Sequence, residues 1–181
     1  MRNFSSTIFF VAVFWSPMAC AAPQGLYGKS VIVSWTETRS QRDAGEANFK
    51  PVSLPFTYTV YVSSEGRPFK RLTSVSASRR ATGSQDKVGM GGRGPEGSGA
   101  MQFVGNSIVA TTGQVGGFGR RIQVTLDGGF GSCSAQVISG KSPGKKIVAV
   151  KSVATGNMVE FESISAGSAS CSVQAGNAFA S

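Results

Sequence analysis

The chain contains no histidine. Without an imidazole, neither a Ser-His-Asp nor a Cys-His nucleophile system can be assembled. Zinc sites built on imidazole are excluded with them, and so is the side chain that most often moves protons near neutral pH. Acidic residues are few: nine Asp and Glu are scattered along 181 positions, with no D-x-D-x-D-G run to wrap calcium. Helical patterning is scarce too. No window longer than about ten residues repeats apolar positions at the helical period behind a capping residue. The only unbroken apolar run of note, Ile8 to Trp15, is too short to span a bilayer as a helix. No cofactor and no metal site is expected from this inventory.

That short run has a context. Arg2 precedes it, Pro17 breaks it, and Ala19-Cys20-Ala21 supplies small residues for cleavage. The order is that of a secretory signal peptide over residues 1–21. Removing the first 21 of 181 residues leaves 160, the length of one domain, 22–181, in a periplasmic or secreted protein. A single membrane anchor is the alternative, disfavoured by the short run. A lipoprotein acylated at Cys20 is another, weakened by Pro17 where a branched aliphatic residue is wanted. Of the three cysteines, Cys133 and Cys171 remain in the mature chain. In an oxidising compartment they are expected to form a disulfide rather than stay as two buried thiols. Closing that loop restricts the unfolded chain by roughly 4 kcal/mol in the entropy model.

What fills the mature chain is period-two alternation. Val31, Val33 and Trp35 share a face that continues to Glu37. Phe56, Tyr58, Val60 and Val62 alternate with Thr57, Thr59 and Tyr61. Ile122, Val124 and Leu126, then Cys133, Ala135 and Val137, then Val159 and Phe161, repeat the pattern. Such runs, rich in β-branched and aromatic residues, describe half-buried antiparallel strands. Turn residues separate them at Ser64-Glu65-Gly66-Arg67, Gly105-Asn106, Asp127-Gly128-Gly129 and Ala166-Gly167-Ser168. The expected fold is therefore all-β: a single antiparallel domain of about eight or nine strands. It is either a meander barrel, calycin-like by fold-level analogy alone, or a β-sandwich, with one disulfide. Residues 41–51 read as a polar connection. Residues 79–99, glycine-rich and charged, bury too little to offset their ordering entropy and read as a flexible loop.

Gly89-Met90-Gly91-Gly92-Arg93-Gly94 fits G-x-G-x-x-G. A dinucleotide fingerprint needs a strand before it and a helix after it. Here Gly94-Pro95-Glu96-Gly97-Ser98-Gly99 follows, so the match reflects local glycine content. Ser142-x-x-Lys145 lies in a Pro-Gly turn instead of opening a helix and is read as chance. Glu160 and Glu162, two apart on a strand, share a face. Together with Glu37 they are the carboxylates available for a histidine-independent glycan hydrolase. Their simpler reading is a solvated face opposite Val159 and Phe161.

The charge is the positive signal. Eighteen Lys and Arg give a formal net charge of +9, or +8 once Arg2 leaves with the leader. Cations cluster at Arg67, Lys70 and Arg71, at Arg79 and Arg80, at Arg120 and Arg121, and at Lys141, Lys145 and Lys146. A basic exported domain is drawn to anionic polysaccharide or to a negatively charged membrane surface. No specific nucleic-acid motif accompanies the charge. Trp35 is a candidate floor for a small apolar ligand if the sheet closes, and core packing if it does not. The candidate contacts are thus Trp35, Arg67, Lys70, Arg71, Arg120 and Arg121.

The opening Gly28 to Arg42 (GKSVIVSWTETRSQR), the hairpin Gly66 to Arg71 (GRPFKR) and the closing Ser170 to Asn177 (SCSVQAGN) resemble uncharacterised small secreted bacterial proteins across most of the mature chain. The resemblance implies a shared exported domain and carries no catalytic or binding residue with it. The function expected is non-catalytic binding of a small ligand or an anionic envelope surface. The alternatives are the hydrolase and a structural envelope protein.

Overall fold

The computed structural model describes residues 21–74, 85–88, 100–112, 118–141, 144, 146–151 and 156–179, with backbone alone at 85–88 and at 118. Residues 1–20 of the expected leader, Arg79 and Arg80, the GMGGRG stretch, and Ser142 and Lys145 lie outside the described residues.

Alternating apolar residues bury one face of each strand, and two sheets result. The first holds β1 (Lys29–Asp43), β2 (Lys50–Val62), β3 (Pro68–Ser74), β4 (Gln85–Val88), β9 (Val148–Lys151) and β10 (Met158–Ala175), in the order β4-β3-β2-β1-β10-β9. The second holds β5 (Met101–Val104), β6 (Ser107–Thr112), β7 (Phe118–Leu126) and β8 (Cys133–Lys141), in chain order. Every pairing is antiparallel. Apart from the four-residue edge strand β4, nine strands are present among the described residues, as the alternation anticipates. The strand order is that of a meander opened at two seams, after β4 and after β8, so the sheets pack as a sandwich and do not close into a barrel. Among the described residues the only helical turn is a 3-10 turn, Gln24–Leu26, whose Leu26 enters the core.

The core lies between the sheets. Val31, Val33, Trp35, Phe56, Tyr58, Val60 and Val62 come from the first sheet. Met101, Phe103, Ile108, Ala110, Ile122, Val124, Leu126 and Val137 come from the second. Trp35 and Phe56 are directly opposed across β1 and β2 and stack at 5.5 Å with 13° between their planes. At one end the C-terminal residues fold over the outer surface. Ser30 Oγ donates to the Gly176 carbonyl at 2.7 Å and accepts from the Ala178 amide at 3.0 Å. Phe179 meets Tyr61 edge-on, with the Arg71 guanidinium over its ring.

Three features depart from the alternation-based reading. The connection expected over 41–51 is narrower, 44–49: β1 runs to Asp43 and β2 starts at Lys50, because backbone pairing continues past the apolar residues. Ala166-Gly167-Ser168 is not a turn. β10 passes straight through, and the register against β1 shifts there between Trp35 and Glu37. A glycine suits this bulge, since a Cβ at Gly167 would stand 3.3 Å from the Thr36 carbonyl oxygen. Inside 79–99, Gln85–Val88 pairs with β3 as an edge strand, which requires backbone hydrogen bonds and no apolar burial.

Cys133 and Cys171 are bonded, with an S–S distance of 2.01 Å and Cα atoms 5.6 Å apart, and the bond ties β8 to β10 across the sheets. The 38-residue separation sets the expected effect. Reduction lowers the unfolding free energy by about 4 kcal/mol, read from urea unfolding with and without reductant. An unchanged midpoint would show that packing alone holds this seam.

Candidate functional site

The inward face of β1 does not stay apolar. After Val31, Val33 and Trp35 the same parity brings Glu37 into the core, where it is 0 % exposed. On β7, Leu126, Val124 and Ile122 lead by the same alternation to Arg120, also buried. On β8, Val137 leads to Ser139, whose Cα partner across the ladder is Arg120. The two sheets thus present an acid and a base to each other at one level of the sandwich.

The groups meet. Arg120 donates to both carboxylate oxygens of Glu37, Nε to Oε2 at 2.7 Å and Nη2 to Oε1 at 3.0 Å. Arg39 Nε donates to Oε1 at 2.6 Å, and Ser139 Oγ donates to Oε2 at 2.8 Å. The guanidiniums are also covered by aromatic faces. Arg120 Cζ lies 4.4 Å from the Phe56 ring centre, and Arg39 Cζ lies 5.3 Å from those of Phe56 and Phe161. Guanidinium is weakly hydrated and planar, so it tolerates this environment better than an ammonium would.

Burial pushes the Glu37 carboxyl up. The hydrogen bond and charge of Arg120, the charge of Arg39 and the hydrogen bond from Ser139 more than offset that push, and the group is held below the usual carboxylate range. Burial also lowers the affinity of Arg39 for its proton; Glu37 opposes this and Arg120 adds to it. Nearby in the core, burial holds the Tyr58 phenol well above its ordinary value, and so protonated. A carboxylate that accepts from three side chains and stays ionised is poorly suited to donate a proton. It is well suited to fix two sheets in register.

The residues singled out from sequence separate on the strands. Trp35 packs in the core on Phe56. Arg67 is exposed in the β2–β3 turn, where its amide donates to Ser63 Oγ. Lys70 is buried on the core face of β3, while Arg71, its neighbour, stands on the outer face over Phe179. Arg120 is buried and Arg121 points outward across from Ile138. Adjacent cations on a strand face opposite ways, so neither sequence cluster forms one patch. Of these six, Trp35 and Arg120 are brought together, both against Phe56. Arg39, Phe56 and Ser139 were not among the candidates, and Glu37 was considered only as a catalytic acid. The signal was available: Glu37 and Arg120 each occupy an inward position at the end of an apolar alternation.

The acidic side chains are mostly held within the molecule. Besides Glu37, Glu160 pairs with Arg42 at 2.7 Å and Glu46 with Lys50 at 3.2 Å. Glu162 accepts from Ser40 and Glu65 from Ser64. Asp127 accepts the Gly131 and Ser132 amides, which hold its carboxyl below the usual range. Asp43 is exposed. A shallow depression of about 400 Å³ lies over β2, β1 and β10, lined by residues 34–36, 55–57 and 168–170, Trp35 and Phe56 among them. The Trp35 and Phe56 side chains are buried on the core side, so the hydroxyls of Ser34, Thr36 and Thr57, which alternate with them, edge the depression on the outer face. No protein-family model, curated protein or solved structure matches the chain.

Replacing Glu37 by Gln keeps the shape but leaves two guanidiniums buried without their counter-ion. It is expected to cost about 3 to 5 kcal/mol of stability at neutral pH. Because the folded carboxyl titrates below its unfolded value, near 4.3, its contribution is complete at neutral pH and is lost as the pH falls below about 4. Urea unfolding of parent and E37Q across that range should show the difference between them shrinking on acidification. A difference independent of pH would remove the ion pair from the account.

Proposed function

We propose that the mature chain is an exported, non-catalytic binding domain that holds to an anionic surface of the cell envelope. The contact is made by the end of the sandwich where β1 finishes. One observation carries this reading: among the described residues Lys146 and Lys151 stand exposed at that end, with Arg121 outward on β7, while Glu37, Glu160 and Glu46 are ion-paired within the molecule. Lys141 joins them there, its ammonium bonded to the backbone carbonyls of Lys146 and Glu162. A surplus of positive charge displayed this way is attracted to phosphate- or carboxylate-bearing surfaces. Export is supported by the leader, and the disulfide is compatible with an oxidising compartment.

Two other readings are less well supported. A small apolar ligand needs a lined interior, but Trp35 is packed against Phe56 and the depression is edged by hydroxyls. A hydrolase needs two carboxylates flanking a cleft. Glu37 is buried in its ion cluster, Glu160 is paired with Arg42 and Glu162 is bonded to Ser40.

Retention of the protein on an immobilised acidic polysaccharide should fall steeply with added salt. The charge-reversed R121E/K146E/K151E variant should elute at distinctly lower salt with an unchanged circular dichroism spectrum. Coincident elution of variant and parent would contradict the proposal.

A further inference from the structure

We infer that the anionic surface this end meets is a lipid bilayer, with the cations at headgroup phosphates and aliphatic side chains in the acyl boundary beneath them. The inference rests on the anionic-surface reading and names the surface. Among the described residues the exposed large hydrophobic side chains are Tyr27, Val104, Ile138, Ile147 and Met158. Tyr27 and Val104 lie toward the far end. Ile138, 57 % exposed and the Cα partner of Arg121, points outward from β8 at mid-height, beside Ser139 of the Glu37 cluster. Ile147 and Met158 lie at the cationic end, and each adjoins an exposed cation. Met158, 43 % exposed, is the Cα partner of Lys151. Ile147, also 43 % exposed, directly follows Lys146.

Alternation shows that these side chains point outward by construction. Val137 is buried beside Ile138, Val148 beside Ile147, and Val159 beside Met158. The segment holding Ile147 and the strand holding Met158 are drawn together at this end, since Lys141 at the end of β8 bonds the carbonyls of Lys146, just before β9, and Glu162 of β10.

An isolated exposed aliphatic residue needs no explanation. Two at one end, each beside a cation, match the chemistry of a bilayer interface. Lysine and arginine gain from anionic headgroups there, and isoleucine and methionine gain by leaving water. An acidic polysaccharide satisfies the cations and offers the aliphatic side chains nothing.

The test is co-sedimentation of the exported, oxidised protein with phosphatidylcholine vesicles, with and without phosphatidylglycerol. Binding is expected only when phosphatidylglycerol is present. K146Q/K151Q should weaken it about 30-fold. I147S/M158S changes only exposed side chains and should weaken it roughly tenfold at unchanged net charge. Equal binding of I147S/M158S and parent would overturn the inference. So would absence of vesicle binding in a protein still retained by acidic polysaccharide; that result would leave the anionic-surface reading standing and assign a glycan to it. Failure on both vesicle and polysaccharide would overturn both.

Discussion

The bidentate contact between Glu37 and Arg120 is the constraint on which the arrangement of the two sheets depends. Each residue sits where its strand's alternation demands an apolar side chain, and Glu37 is held there by Arg120 together with Arg39 and Ser139. An ionised carboxylate or guanidinium buried alone costs several kcal/mol. Any packing in which β7 slides or turns relative to β1 breaks the bidentate contact and leaves Glu37 the partner on its own strand, Arg39. The apolar part of the core is less particular, because valine and isoleucine faces accept many offsets. The ion cluster thus contributes specificity of alignment more than net stability, and it does so where no disulfide helps.

The sandwich is accordingly braced by different means at its two ends. Where β1 begins, the core is apolar apart from Lys70 on β3, Cys133–Cys171 joins the sheets, and the C-terminal residues lie over Tyr61 and Ser30. Where β1 finishes, polar chemistry takes over. Arg39, Arg120 and Ser139 converge on Glu37, Phe56 and Phe161 cover the guanidiniums, and Arg42 meets Glu160 outside. Of the carboxylates toward that end, Glu37 is buried in the cluster and Glu160 and Glu46 are ion-paired, while Asp43 and Glu162 are exposed.

Period-two alternation carried the fold a long way: it located the inward residues of β1, β2, β7 and β8 and gave the all-β architecture. Cysteine parity, with export as the expectation, gave the disulfide partners that the structure joins. Sequence was less informative wherever the deciding quantity was pairing. β1 and β2 extend through Arg39, Gln41, Lys50 and Val52 because each strand templates its neighbour, which composition does not reveal. Gly167-Ser168 has turn chemistry, and a bulge uses the same freedom inside a continuous strand. For the site, the error was one of grouping. Lys70 and Arg71, or Arg120 and Arg121, look like patches when read linearly, yet the alternation that located the core sends one of each pair inward. Applied to charged residues as strictly as to apolar ones, it picks out Glu37, Arg120 and Ser139 as inward-facing. Their meeting across the sandwich still requires the offset of the two sheets, which no single strand encodes.

The central claim is that Glu37 and Arg120 act on stability as one unit. A double-mutant cycle tests it most directly: urea unfolding at neutral pH of the parent, E37Q, R120M and the double variant. The account predicts strong coupling, with the double variant losing less than the sum of the single losses by about 2 kcal/mol or more. Losses that add to within about 0.5 kcal/mol would mean that the two residues contribute separately, and would contradict the proposed origin of the sheet alignment.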